Sequence, residues 1–465
     1  MASSQIVSLK IEVARHRCEG LTREITQLKN KDYSSIGSSI LIQFVEKANQ
    51  LVLGYLQKEE DLPDKNLLTE EELEDRIHRV SKLIPFLHYL LGFVEGSEIG
   101  VAPVPLVLQL RRLARSLIPG SEVAISARAE LNYSILEVAS KVRAVLDQTP
   151  LKDSCTLLPS SLFVVTIPRV ESTDVLLHCI LSHELGHGLY QKNGLAAKIL
   201  PKIKIDDSLI KGLASTICSQ LPGTPPPLFE VEVRNMITQQ VTGRISKWTQ
   251  ELSSDAFGVQ LFGPAYYFAF IYFSLAFAHL DKESPTHPPH RLRLKLMTRI
   301  LRRLYPETCF KNSVLAFVKY WESVSLKSIP IKDEIARIAL RGLDEESVLD
   351  CIDVETQACV DPGKAYSPSR YKDDIGKLEP LLINVIPPGE DFGDGNFRPT
   401  EMSSILNVGW DLFLSEMPNL SANLPKQETT SPYQLRQKLQ GLLVKALEIS
   451  ETKLSWEEKR SAARV

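Results

Sequence analysis

From Ala256 to Leu280 the sequence reads AFGVQLFGPAYYFAFIYFSLAFAHL, with no Asp, Glu, Lys or Arg. A stretch this long and uncharged belongs either in a bilayer or in a protein core, and which one it takes decides what the rest can fold into. Gln260, Gly263, Pro264 and His279 argue for the core. Pro264 is expected to split the run in two, because its ring clashes with the preceding turn and it donates no N–H. The reading is therefore a helix pair buried in protein, with membrane association through residues 256–280 as the alternative. Composition agrees: 24% charged and 43% hydrophobic residues describe a globular chain, and a net charge of -3 gives no reason to expect a nucleic-acid or anionic-membrane partner. Seven cysteines without a C-x-x-C pair argue for free thiols in a reducing compartment. The opening MASSQIVSLKIEVARHRCEG lacks the pattern of a secretory signal, so the expected location is cytoplasmic.

Helical periodicity dominates the 465 residues. Val7, Ile11, Ala14, Cys18, Leu21, Ile25 and Leu28 alternate four- and three-residue steps, the seam of a helix that packs on the chain's own helices. SSILIQFVEKANQLVLGYLQ, TEEELEDRIHRVSKLIPFLHYLLGFVE, VPLVLQLRRLARSLI and ARAELNYSILEVASKVRAVLDQ continue the pattern, so residues 1–150 read as an all-helical region. The clear strand is SLFVVTIPRV, residues 161–170, rich in β-branched residues. A helix follows, capped by Ser172, Thr173 and Asp174 and stopped at Asn193-Gly194. The prolines of residues 221–228 precede a second long helix reaching Ala256. After the basic helix RLRLKLMTRILRRL, whose charges read as a solvated face rather than a site for acidic or phosphate-bearing partners, the chain is mostly helical to its end. The loop around Asp391 and Asp394 lacks the spacing of a calcium loop and reads as a connector.

Within the helix of residues 181–190, LSHELGHGLY, one turn separates His183 from His187, so both imidazoles leave one face and can share an ion while Glu184 leans toward its open side. Neutral imidazole suits zinc, and a catalytic zinc takes three protein ligands and leaves the fourth position to water. KWTQELSSDAFG supplies what is missing: Glu251 and Asp255, also one turn apart, offer a third ligand and an acceptor for the spare N–H of a ligating imidazole. By themselves those carboxylates would read as solvated surface groups; the histidine pair reverses this. His178 falls about 140° around the helix from His183 and reads as a core histidine, and Cys179 as a small buried hydrophobe. Gly186 and Gly188 weaken a helix and so point to a close approach by substrate or by neighbouring backbone. Trp248, Trp321, Trp410 and Trp456 read as packing anchors.

HELGH followed by E-x-x-x-D resembles the gluzincin metallopeptidases. With THPP at 286–289 and Arg293 beyond it, the stretch is similar more narrowly to the HtpX and CAAX prenyl protease family, over roughly residues 155–300. The resemblance implies a zincin-like metallopeptidase core with Zn2+, and an edge strand, FVVTIP, that grips a peptide or protein substrate in extended form. A metzincin is excluded, because Tyr190 and Asn193 stand where that class needs glycine and histidine.

The expected fold is mainly α, with a zincin-like core carrying a small β element: a helical region over 1–150, the metallopeptidase core over 151–305 and a mostly helical region over 306–465. The expected activity is zinc-dependent peptide-bond hydrolysis. Zinc would acidify a water, and Glu184 would take its proton and deliver it to the leaving amine. His287 is the first candidate for stabilising the oxyanion, His290 the second and Tyr190 the third; as a turn residue beside two prolines, His287 also has an ordinary structural explanation. The alternatives are a regulatory or defence effector with a latent peptidase, and a helical adaptor with a structural zinc. In the adaptor a fourth protein ligand such as His287 would close the site.

Overall fold

The computed structural model describes residues 3–61, 70–100, 103–130, 132–147, 149, 161–220, 227–275, 283–391, 398–425 and 431–462. Cys155, residues 221–226 of the proline-rich connection, residues 276–280 of the apolar run and Asp394 lie outside them. The chain forms two compact units, Met1–Thr173 and Asp174–Val465.

The first unit runs α1 (Ser3–Lys29), α2 (Ile36–Asp61), α3 (Glu70–Ser81), α4 (Leu83–Glu95), α5 (Val104–Leu117), β1 (Ser121–Arg128), β2 (Ser134–Glu137), α6 (Val138–Leu146) and β3 (Ser161–Pro168). All seven seam residues of α1 are buried, in one core with Leu41, Val45, Val52 and Leu56 of α2 and Leu87, Leu90 and Leu91 of α4. The seam therefore packs within the chain, each large apolar side chain contributing about 1.5–3 kcal/mol by leaving water.

Two expectations for this unit are corrected. Residues 1–150 are not all helical, because β1 and β2 interrupt them and, among the described residues of the expected 127–148 helix, only Val138–Leu146 are helical. The β-branched and small residues of SEVAISAR and SILE pair with β3, and that pairing overrides a helix-like local spacing. Nor is β3 an edge strand. It is the middle of the sheet order β1-β3-β2, parallel to β1 from Ser121↔Ser161 to Arg128↔Pro168 and antiparallel to β2 from Ser134↔Thr166 to Glu137↔Phe163. From Phe163 to Thr166 both edges of its backbone are already bonded, so the middle of the strand has no free edge to offer an extended peptide. A continuous apolar run such as LFVVTI is the mark of a strand buried on both faces.

The second unit runs α7 (Leu181–Lys192), α8 (Leu195–Ile199), α9 (Asp207–Ser219), α10 (Pro227–Phe262), α11 (Pro264–Leu275), α12 (His290–Leu304), α13 (Asn312–Ser325), α14 (Glu334–Leu343), α15 (Glu346–Gln357), α16 (Pro368–Ile383), a two-residue strand pair β4 (Glu390–Asp391) and β5 (Arg398–Pro399), α17 (Met402–Ser415), α18 (Met417–Ala422) and α19 (Pro432–Ala462). The chain is mainly α. Every residue from 251 to 271 is buried, and the apolar run breaks where Pro264 requires: α10 ends, Gly263 turns with φ 58, and α11 begins. A Cβ at Gly263 would stand 2.6 Å from the Tyr305 hydroxyl, so both the turn and the packing demand glycine there. Among the described residues no helix is long and apolar enough to cross a membrane.

Ser172 to Asp174 do not cap α7, which follows a short 3-10 turn over Leu177–Ile180. Asp174 instead accepts from Arg436 and Gln440 of α19, and Trp410 of α17 donates to Leu176 O at 2.9 Å. The stop at Asn193-Gly194 is as expected, with Gly194 at φ 60. The basic helix α12 is not a solvated face. Lys295 pairs with Asp344 and Glu346, Arg299 with Glu346 and Asp350, Arg302 with Glu322, and Arg303 with Asp353, so these charges join α12 to α13 and α15. Trp248 and Trp410 are buried anchors, whereas Trp456 is 67% exposed on α19 and anchors nothing. The six described cysteines are free thiols.

Candidate metal centre

The centre is made where α7 crosses α10, and the crossing is close because Gly186 faces Ser254. A Cβ on Gly186 would lie 2.9 Å from Ser254 Cα and 3.1 Å from its carbonyl oxygen, tighter than packed atoms tolerate. Glycine at 186 therefore answers to neighbouring backbone, as one of the two sequence expectations had it. The approach brings His183 and His187, with ring centroids 4.8 Å apart, opposite Glu251. Glu251 Oε2 lies 3.4 Å from His183 Nε2, and Oε1 lies 3.5 Å from His187 Nε2.

These are the spacings of a metal site. A tetrahedral ion with bonds of about 2.0–2.1 Å separates its ligand atoms by about 3.3–3.5 Å. One ligand atom from each of the three residues falls within 4.8 Å of the others, so the group can hold a metal ion. Glu251 is 8% exposed, yet its Oε2 has no hydrogen bond, a buried lone pair facing the point where an ion would sit. The electrostatics agree. Burial would lower the pKa of His183, but Asp255 and Glu251 outweigh it and push the imidazole up to about 10. Burial would raise Glu251, but the nearby His183 and the charge of Arg293 hold it down at about 2. The two carboxylates thus draw positive charge to the point between them. His187 is driven down to about 4 by burial and by the charge on His183, which keeps its ring neutral.

A second layer orients the ligands. His183 Nδ1 lies 2.9 Å from Asp255 Oδ1; a carboxylate can only accept, so Nδ1 keeps a proton, and the nitrogen whose proton an ion would displace is Nε2, on the side of Glu251. Asp255 is fully buried and held in a fork by Arg293 of α12, Nε to Oδ2 and Nη2 to Oδ1 both at 2.7 Å, while the Tyr266 hydroxyl of α11 donates to Oδ1 at 2.5 Å. Burial opposes its charge, but Arg293 and His183 hold its carboxyl well below the usual range. Ser254 Oγ meets His187 Nδ1 at 3.2 Å. Glu184, beside His183 and 5% exposed, is pushed up to about 7 by burial.

The sequence-predicted residues fall as follows. His183, Glu184, His187, Glu251 and Asp255 converge. His287 is half-exposed, with Nε2 3.7 Å from Glu251 Oε1, beside the three-residue group but not a member of it. His290 turns away to Ser274 Oγ at 2.8 Å. Tyr190 is buried, its hydroxyl pushed up to about 12 by burial. His178 and Cys179 are fully buried, and burial drives the Cys179 thiol far up, as a packing role requires. Sequence reasoning gave no part to Ser254 or Tyr266. Ser254 lies three residues after Glu251, hence on the same face, and that spacing was the available signal. No local signal marked Tyr266, which arrives by way of the turn at Gly263.

No protein-family model matches the chain, and no curated protein or solved structure is significantly similar to it.

Proposed function

We propose that the chain is a zinc metallopeptidase of the gluzincin type that hydrolyses peptide bonds of a peptide or protein substrate, as the resemblance of residues 155–300 to the HtpX and CAAX prenyl protease family implies. The observation that carries the reading is the donor set: two neutral-capable imidazoles and one carboxylate, oriented from behind, with no fourth ligand joining among the described residues. Structural zinc is normally closed by four protein ligands, so a set of three with a carboxyl group alongside favours hydrolysis over an adaptor. Imidazole and carboxylate donors at these spacings suit zinc.

Zinc bound there supplies Lewis-acid chemistry, acidifying water and polarising the scissile carbonyl. The chain does the rest. His183, His187 and Glu251 bind; Asp255, Ser254 and Tyr266 orient; Arg293 balances the charge of Asp255. Glu184 takes a proton from the attacking water and delivers it to the leaving amine, a task for which a carboxyl raised toward neutrality is suited. His287, on the open side, is the hydrogen-bond donor to the developing oxyanion.

The test is casein cleavage and zinc content of the wild type and Glu184→Gln. The variant should keep its zinc and lose roughly 10²–10⁴-fold in turnover, the share of a general base. Equal turnover in both proteins would overturn the proposal.

A further inference from the structure

His287 sits in a turn held by a set of hydrogen bonds centred on Ser284. Ser284 N donates to His287 O at 3.0 Å, closing the turn, and Ser284 O accepts from Trp248 Nε1 at 3.0 Å. Trp248 is fully buried and stands three residues before Glu251, so the turn is tied to the helix that carries the third ligand. Ser284 Oγ accepts the backbone N–H of Thr286 at 3.2 Å and of His287 at 2.8 Å. Thr286 Oγ1 lies 2.8 Å from His287 Nδ1.

We propose that Ser284 and Thr286 are positioning residues that hold His287 in the tautomer with its proton on Nε2, so that the ring faces the centre as a donor and not as a fourth ligand. The inference rests on the peptidase reading above and gives the condition under which its site stays open.

Proton counting carries the argument. A hydroxyl has one proton and two lone pairs. Both lone pairs of Ser284 Oγ are taken by backbone N–H groups, so its proton is free only to be donated, and the acceptors within reach are Thr286 Oγ1 at 3.2 Å and His287 Nδ1 at 3.4 Å. Passing protons from Ser284 to Thr286 and from Thr286 to Nδ1 is the arrangement that satisfies both hydroxyls within the turn, without recourse to solvent, and it makes Nδ1 an acceptor. The ring proton is then on Nε2. His183 has the opposite kind of partner behind its ring: Asp255 can only accept, so Nδ1 keeps a proton and Nε2 is the nitrogen left to a metal.

The experiment is nitrogen NMR of the full chain with 15N-labelled histidine, loaded with 113Cd. Expected are cadmium couplings to His183 and His187, and for His287 no coupling, an unprotonated Nδ1 and a protonated Nε2. Thr286→Val should shift the His287 proton toward Nδ1, and Thr286→Ser should restore the wild-type pattern. A His287 nitrogen coupled to cadmium, or a protonated Nδ1 in the wild type, overturns the inference; the wild-type spectrum decides even if Thr286→Val folds poorly. In casein cleavage, Thr286→Val should lower kcat with KM unchanged, by at most the roughly 10²–10³-fold that an oxyanion donor supplies, and Thr286→Ser should recover it. A wild type that binds cadmium but cleaves nothing counts against the peptidase reading, a result separate from the tautomer that the spectrum reports.

Discussion

Helix α12 carries two arginines ten residues apart, and each closes a two-point fork on a buried aspartate. Arg293 holds Asp255 of α10 with both bonds at 2.7 Å; Arg303 holds Asp353 of α15 at 2.7 and 2.8 Å. Up to that point the two are the same device, fastening α12 to a neighbour. They differ in what else meets the carboxylate. Asp353 has Gln260 and Thr356 close by, groups that do not titrate, and Gln260 Nε2 bonds Thr356 Oγ1 at 3.1 Å. Asp255 takes the N–H of His183, whose far nitrogen is turned toward Glu251. A buried ion pair by itself joins helices and adds little net stability, because desolvation consumes most of its attraction. The first fork becomes chemical because one of its partners turns a nitrogen able to ligate a metal toward other donors.

The comparison can be broken or sharpened by substitution. Asp255→Asn should have the largest effect. It leaves the buried Arg293 with only the more distant Glu251 at 3.7 Å, destabilising the fold by about 3–5 kcal/mol, and lowers zinc affinity about 10–100-fold. Denaturant titration and competitive zinc titration measure the two losses, and a stable variant with unchanged zinc affinity would show that Asp255 orients nothing. Gly186→Ala follows. Its Cβ must push α7 off Ser254, which should cost about 1–3 kcal/mol by overpacking and weaken zinc binding with it. Asp353→Asn should cost less, about 1–2 kcal/mol, since Arg303 is 40% exposed and solvent screens the pair. Its zinc affinity should equal that of the wild type; a fall would mean that the two forks are not separable. Ser254→Ala should be smallest, with near-wild-type stability and zinc affinity lowered about tenfold or less.

What the sequence revealed follows helical period. His183 with His187 and Glu251 with Asp255 each share a face at four-residue spacing, and no tertiary knowledge is needed to see it. Pro264 marked the break in the apolar run for an equally local reason. The α1 seam and the stop at Asn193-Gly194 were legible in the same way. Pairings that join distant residues were not. The partners of β3 lie about 30 and 40 residues upstream along the register, and β1 and β2 look helical until β3 is beside them. The acids that neutralise α12 come from positions 322, 344, 346, 350 and 353, so the helix looks solvated when read alone. Ser254 and Tyr266 join the centre only once the α7–α10 crossing and the turn at Gly263 are known. The hydroxyls behind His287 belong to the same class: THPP points to the ring, but the role of Ser284 depends on the turn that folds it back.

The most direct measurement is the zinc stoichiometry of purified wild type, Glu251→Ala and Glu184→Gln after equilibration with limiting free zinc. Convergence of two imidazoles and one carboxylate on a single ion predicts one zinc per chain in the wild type and in Glu184→Gln, and none in Glu251→Ala. Equal occupancy in the wild type and Glu251→Ala would contradict it.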